Sequence, residues 1–266
     1  MEQLIDTGTR SDNPHTPHHF MAAPITASGS HPAIGAETRP PRRAWARPRT
    51  ATDSAPWPYL FVKRMVDIVA ALFFLALGFL PLLILCVCVA LESPGPFIYK
   101  RRVLAQQAWT EDRGEEGLKT FDAYKLRTMV SNAEEVLRQN PHLMAMYSKD
   151  WKLENDPRIT RLGRFLRTTS IDEFPQLLNV LKGEMTLIGP RMITAPELAR
   201  YGEDAPRLLQ VKSGLTGLWQ VSGRQNVSYD ERVRLDMTYI DSRSFLLDCR
   251  ILFKTIWCVL RREGAC

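Results

Sequence analysis

Arg158-Ile159-Thr160-Arg161-Leu162-Gly163-Arg164-Phe165-Leu166-Arg167-Thr168-Thr169-Ser170-Ile171-Asp172-Glu173-Phe174-Pro175-Gln176 is the stretch on which the reading of the chain turns. Two adjacent carboxylates, Asp172 and Glu173, stand among basic residues. Arg158, Arg161, Arg164 and Arg167 recur every three residues, which on a helix gathers them on one slowly drifting stripe. A second helix is expected from Ile171. Thr169 or Ser170 can cap it, and Glu173 lies three residues beyond Ser170, the spacing of a capping box. A carboxylate so placed has its anionic form favoured by the helix dipole and by nearby guanidinium groups. It is therefore expected to hold a low pKa, which suits a nucleophile or a metal ligand. A guanidinium fork holds two phosphate oxygens at once, so an acid pair with arginines fits phosphoryl-group chemistry. The same residues also suit a capped surface helix whose charges are merely solvated, and the rest of the chain has to decide.

Downstream, residues 196–209 read as a helix interrupted at Pro206. Residues 212–224 are Gly-rich and partly extended, and their glycines would let backbone approach a ligand or simply make turns. Residues 229–240 read as a helix capped by Ser228, with Glu231 three positions on. Residues 245–260 are apolar with Asp248, Arg250 and Lys254 interspersed, an amphipathic pattern expected to pack on the core rather than lie at a membrane interface.

Upstream, Asn155-Asp156-Pro157 is a turn. Residues 131–139 read as a helix with Ser131 at its cap and Glu134 in the box position. Alternation over residues 121–129, with strand-like residues around 97–104, predicts a β-hairpin whose connection, residues 106–119, is a polar loop. Residues 68–91 contain no charge and exceed the about 20 residues a bilayer crossing needs. Pro81 lies near the middle of that run, and basic residues flank both ends: Lys63 and Arg64 before, Lys100, Arg101 and Arg102 after. The positive-inside rule puts both ends on the cytoplasmic side, so a helix that enters, bends at Pro81 and returns meets both observations. A single span with a proline kink remains the alternative.

The 266 residues suffice for one sizeable domain, and the net charge of +6 suits an anionic partner. Nine of the eighteen prolines precede Tyr59, and the Pro-, Ala-, Ser- and Arg-rich composition of residues 1–58 predicts a disordered tail. The five cysteines form no CxxC pair, and an odd count fits a reducing compartment. His142 is the one histidine outside the tail, which removes histidine-based catalysis and His-ligated zinc.

Several ordered blocks together resemble one family, the small monotopic bacterial sugar transferases or polyprenyl-phosphate phosphoglycosyl transferases. They include Lys63-Arg64-x-x-Asp67, the Pro81-containing apolar run, Tyr124-Lys125-Leu126-Arg127-Thr128-Met129, Asp156-Pro157-Arg158, Arg167 to Gln176, Gly189-Pro190-Arg191, Gly214-Leu215-Thr216-Gly217-Leu218-Trp219-Gln220 with Gly223-Arg224, and Asp236-x-x-Tyr239. The resemblance covers residues 59 to the C-terminus. It departs at Met192 and Ser213, where the family usually has proline, and at the long acidic loop 106–119.

The resemblance implies an α+β, mainly helical chain. Residues 1–58 would be the tail, 59–95 a re-entrant membrane helix broken at Pro81, and 96–266 a cytosolic catalytic domain with a short β-hairpin. It implies transfer of a phosphosugar from a UDP-sugar to polyprenyl phosphate, with UMP released, at the cytoplasmic face of a bacterial inner membrane. Exopolysaccharide initiation is the expected pathway. It makes Asp172 the nucleophile and a Mg²⁺ ligand, with Glu173 its partner. Lys125, Arg127, Arg158, Arg167, Gln176, Arg191 and Arg224 would line the substrate site, with Asp236 in support. The implied partners are the bilayer and the two phosphorylated substrates, not nucleic acid, and a homodimer is left open. A membrane-anchored phosphohydrolase using the same carboxylates, or a non-catalytic scaffold, would differ in product.

Overall fold

In a computed structural model of the chain, the structure describes residues 55–107, 117–150, 153, 156–223 and 227–261. The expected tail, apart from its last four residues, lies outside them. So do most of the 106–119 loop and Arg224.

Helix α1, Trp57–Glu92, dominates the molecule with 36 residues. At about 1.5 Å per residue it is about 54 Å long, well beyond the about 30 Å of a hydrocarbon core. Its helical run continues through Pro81, where a break was expected. A proline removes one hydrogen bond of the ladder, and the other residues of a long run still hold it. The usual inside-outside order is inverted. Asp67 and Ala71 are buried, whereas Phe61, Val69, Phe73, Leu77, Phe79 and Leu80 are exposed.

Both ends of α1 are fastened to the same body. Near its start, Lys63 Nζ donates to Asp248 at 2.6 Å, and Arg64 donates to the carbonyls of Val180 and Leu181 at 2.6 and 2.8 Å. Asp67 accepts from Thr186 Oγ1 at 2.7 Å and from the Leu187 N–H at 2.9 Å. Near its end, Glu92 accepts the Leu162 N–H at 3.0 Å, and Arg127 donates to the carbonyls of Ser93 and Pro94.

Strands β1, Ile98–Leu104, and β2, Thr120–Leu126, form the expected hairpin, with Tyr99 opposite Lys125. Helix α2, Ala133–Arg138, begins after Asn132, and no side chain caps it, so Ser131 does not make the expected box. It is followed by α3, Pro141–Asp150. Helix α4, Arg161–Thr169, starts at Thr160, whose side chain accepts the Gly163 N–H. Arg158 therefore lies outside the helix and leaves the expected arginine stripe.

A 3-10 segment, Ile171–Gln176, carries the acid pair and runs into α5, Leu177–Lys182. Ser170, at the junction with α4, is left-handed with φ of 58° and makes no side-chain cap. The capping box is thus absent, since a residue closing one helix in that conformation cannot also present its hydroxyl to the next.

Strand β3, Thr186–Ile188, pairs in parallel with β4, Gly214–Thr216. Their crossing is a close backbone approach. A Cβ on Gly214 would lie 2.1 Å from the Gly189 nitrogen, and one on Gly217 would lie 2.1 Å from the Gly189 oxygen. These glycines thus admit neighbouring backbone, where the sequence alone left open a ligand or simple turns. Between the strands run α6, Ala195–Leu198, a 3-10 stretch, and α7, Ala205–Leu209. The interruption falls at Gly202, with φ of 50°, while Pro206 opens α7, where its fixed φ suits the first turn.

Helices α8, Tyr229–Ser242, and α9, Phe245–Arg261, close the described chain. Ser228 caps α8 by accepting the Glu231 N–H, as expected. One side of α9, including Ile251, joins the core, but Phe253 is 73 % and Trp257 54 % exposed, so core packing accounts for half of this helix.

Candidate active site

Three elements meet at the acid pair. The hairpin brings Lys125 from β2, the 3-10 segment brings Asp172 and Glu173, and α4 brings Arg167. Asn179 fixes the first two together. Fully buried on α5, it accepts the Tyr124 N–H at 3.1 Å and donates to Asp122 O at 2.8 Å and to Glu184 at 2.7 Å. Bonded to the residues on either side of Ala123, it holds β2 in register against the acid segment. Lys125 Nζ thereby reaches Glu173 Oε1 at 2.5 Å.

The two carboxylates differ sharply. Asp172 is buried, and burial pushes its pKa from the ordinary 3.8 up to about 6, with the Glu173 charge adding to the rise and Lys125 and Arg167 opposing it. Burial also acts to raise the Glu173 pKa, but Lys125 and Arg191 outweigh it and hold that carboxyl below its usual range. The expectation of a low pKa therefore fits Glu173 and is corrected for Asp172, because the lysine pairs with one neighbour and leaves the other to desolvation. At pH 7 Asp172 is still mostly ionised, and it is more basic than a free aspartate.

The remaining expected residues divide. Arg167 Nε donates to Thr128 Oγ1 at 2.8 Å and lends positive potential to Asp172. Arg191, placed by the β3–β4 crossing, faces Glu173 electrostatically and lies 5.5 Å from the Trp219 ring centre. Asp236 is fully buried on α8 and accepts from Tyr201 at 2.8 Å. Burial raises its pKa to about 6. Gln176 is fully buried, and neither amide atom of its side chain has a hydrogen-bond partner.

Two expected site residues are taken up by other acceptors. Arg127 donates to the carbonyls of Ser93 and Pro94, just past the end of α1. Arg158 is locked on Asp156 by two side-chain bonds at 2.8 and 2.7 Å. Each guanidinium found a local acceptor that spacing alone does not reveal.

Asn179 was given no role in the site, although a lone asparagine inside an apolar run hints at a buried polar hub. Arg232 on α8 was missed for the opposite reason: in a charged segment it reads as a solvated residue, yet it packs on Trp219 and Tyr229.

No cluster of three His, Cys, Asp or Glu side chains occurs among the described residues. The acid pair nonetheless fits magnesium delivered with a diphosphate, because that ion keeps several waters and takes only one or two protein carboxylates. Phe174, next to the pair, packs on α1 so closely that a Cβ on Gly78 would lie 2.3 Å from its ring. The site thus abuts an exposed apolar helix.

Comparison with known proteins gives this arrangement a context. The chain is 46 % identical over 209 residues to an undecaprenyl-phosphate galactose phosphotransferase of Salmonella typhimurium, covering 77 % of this chain and 42 % of that protein. It is 39 % identical to the exopolysaccharide production protein ExoY of Rhizobium meliloti, over 76 % of this chain and 87 % of that one. It is 37 % identical to a UDP-glucose:undecaprenyl-phosphate glucose-1-phosphate transferase of Caulobacter vibrioides, over 82 % and 74 %. The chain spans less than half the length of the Salmonella relative and of a UDP-galactose-lipid carrier transferase of Erwinia amylovora. The family model described as bacterial sugar transferase matches residues 58–262, and the chain belongs to that family.

Proposed function

We propose that this protein transfers a sugar phosphate from a UDP-sugar to polyprenyl phosphate, releasing UMP, at the cytoplasmic face of a bacterial inner membrane. The observation that carries the reading is a buried aspartate, less acidic than usual, beside a glutamate neutralised by Lys125 and against an exposed apolar helix. The functions named for the relatives support the same direction.

Asp172 is the nucleophile. One of its carboxylate oxygens bonds to the sugar-bearing phosphorus while the bond from that phosphorus to the bridging oxygen breaks. The electron pair leaves with UMP. A phosphate oxygen of the lipid then attacks the same phosphorus, and the bond to Asp172 breaks, returning the carboxylate. Glu173 and Lys125 keep a fixed charge pattern beside the reacting group, and Arg167 and Arg191 offset phosphate charge. Mg²⁺, held by Asp172 with Glu173 nearby and by the substrate diphosphate, would supply charge neutralisation when bound.

The membrane arrangement follows the fastening of α1. A simple span would carry one end, with its bonds to Asp248, Val180 and Thr186, to the side opposite the other, with its bonds to Leu162 and Arg127. Keeping both sets together on one face of the bilayer supports the re-entrant reading over a simple span. The basic residues at both ends support the same side.

The test is a panel of UDP-sugars with polyprenyl phosphate, monitored for UMP and for lipid-linked product. Mass analysis of the protein mixed with donor alone should find a phosphosugar on Asp172. Free sugar phosphate in place of lipid product would make the protein a hydrolase, and no product would make it a scaffold.

A further inference from the structure

Among the described residues, nine buried side-chain nitrogen and oxygen atoms lack a hydrogen-bond partner, and five of them belong to Trp219, Gln220, Tyr229 and Arg232. They are Trp219 Nε1, Gln220 Oε1, the Tyr229 hydroxyl, and Nε and Nη2 of Arg232. Arg232 stands 4.8 Å from the Trp219 ring centre and 4.9 Å from that of Tyr229. Arg191 is on the Trp219 ring as well, and Arg200 lies 4.6 Å from the Tyr229 ring centre. None of these three guanidinium groups has an ion pair within 4.0 Å among the described residues.

Arg200 is exposed and Arg191 half-buried, whereas two nitrogens of the half-buried Arg232 are shut off from solvent without an acceptor, an unusual setting for a cation. Stacking on aromatic faces supplies some stabilisation, but it satisfies no N–H. A buried donor without an acceptor is costly, and more so on a charged group. The cluster is also connected to the chemistry. Arg191 acts on Glu173 at one end and repels Arg232 at the other. Moving away from the acid pair one therefore meets Arg191, then Trp219, then Arg232.

We infer that Arg232 and its two flanking rings form the subsite for the nucleoside monophosphate half of the donor, with the Arg232 Nε and Nη2 donors on the phosphate that leaves. This rests on the transferase reading above. A planar fork matches two phosphate oxygens, and the flanking aromatic rings suit a ligand that carries a heterocycle next to its phosphate. The lipid phosphate has no such ring, so the acceptor is expected to bypass this subsite. In the first displacement the bridging oxygen gains the electron pair and becomes a phosphate oxygen of UMP. A cation on that phosphate stabilises the charge as it develops.

The test uses the full chain in lipid nanodiscs, with wild type, Arg232→Gln, Arg232→Lys and Tyr229→Phe compared for donor KM, inhibition by free UMP, and KM for polyprenyl phosphate. Arg232→Gln is expected to raise donor KM and the UMP inhibition constant together by about 10- to 100-fold, the range of a lost hydrogen bond to a charged group. Arg232→Lys should fall between, because charge stays and the fork goes. Tyr229→Phe keeps the ring and should cost less. Acceptor KM should not move in any variant. Wild-type-like UMP inhibition in Arg232→Gln, or an acceptor KM that rises instead, overturns the assignment while leaving the transferase reading intact. A wild-type protein that neither turns over any UDP-sugar nor binds UMP overturns both. If Arg232→Gln loses its thermal transition, the assignment is read from Arg232→Lys and Tyr229→Phe, and unchanged UMP inhibition in those two overturns it.

Discussion

Lys125 Nζ lies 2.5 Å from Glu173 Oε1, and that one ion pair divides the labour between two neighbouring carboxylates. Glu173 is held ionised, while Asp172 is left with a pKa near 6. Lys125→Met should therefore do two separable things. It strands a largely buried carboxylate, which should cost about 3 kcal/mol of stability, and it should abolish turnover. Adding Glu173→Gln should recover most of the stability and none of the turnover. Urea unfolding and UMP release on the single and double variants check both halves.

The raised pKa of Asp172 has a definite sign for stability. Between its ordinary 3.8 and about 6, the unfolded chain releases this proton while the folded chain keeps it, so folding weakens as pH rises through that window and levels off above it. Asp172→Asn removes the term. The variant should gain about 3 kcal/mol over wild type at pH 8 relative to the comparison at pH 3, while releasing no UMP. Denaturant titrations at the two pH values measure the first. In wild type, kcat/KM should fall with one proton below about pH 6.

Asn179 makes three bonds from a fully buried position. Asn179→Ala orphans the Tyr124 N–H and the Asp122 carbonyl and should cost about 3 kcal/mol. Its kinetic loss should exceed what the unfolded fraction explains, because the register that brings Lys125 to Glu173 is lost. Calorimetry beside kcat on the residual folded protein separates the two.

Gly78 joins the apolar helix to the acid pair. Alanine there should favour the helix by about 1 kcal/mol, yet its Cβ would lie 2.3 Å from the Phe174 ring. We expect Gly78→Ala to bind membranes normally and to lose about tenfold in kcat, and Phe174→Leu in the same chain to restore part of it. The tenfold figure corresponds to about 1.4 kcal/mol in the barrier.

Single cysteines placed before Lys63 and after Arg102 should both react with an impermeant thiol reagent from the cytoplasmic side only. Opposite sidedness would remove the one-face arrangement.

Much of the framework was legible in the residues. The hairpin, the Ser228-capped α8 and the apolar stretch announce themselves through alternation, capping and length, all local signals. The acid pair stood out because carboxylates among arginines are conspicuous. What stayed hidden depends on long-range partners. Arg127 and Arg158 look the same as Arg167 in a string of letters, and only the fold tells that Ser93 and Asp156 take the first two. The capping box at Ser170 failed because the previous helix used that residue for its own ending. The low pKa expected of Asp172 failed because burial cannot be read from a six-residue helical turn.

Fastening α1 at both ends has a practical corollary. An ordinary anchor can be exchanged for any greasy segment of equal length, since its only task is tethering. Here Asp67 pins the helix to β3 and Gly78 accepts Phe174, the neighbour of the acid pair, so under the proposed function the segment that would meet lipid is also a wall of the reaction chamber. On that reading, detergent that reshapes its surroundings should alter turnover itself, and chimaeras with foreign anchors should be inert even when correctly delivered to the bilayer.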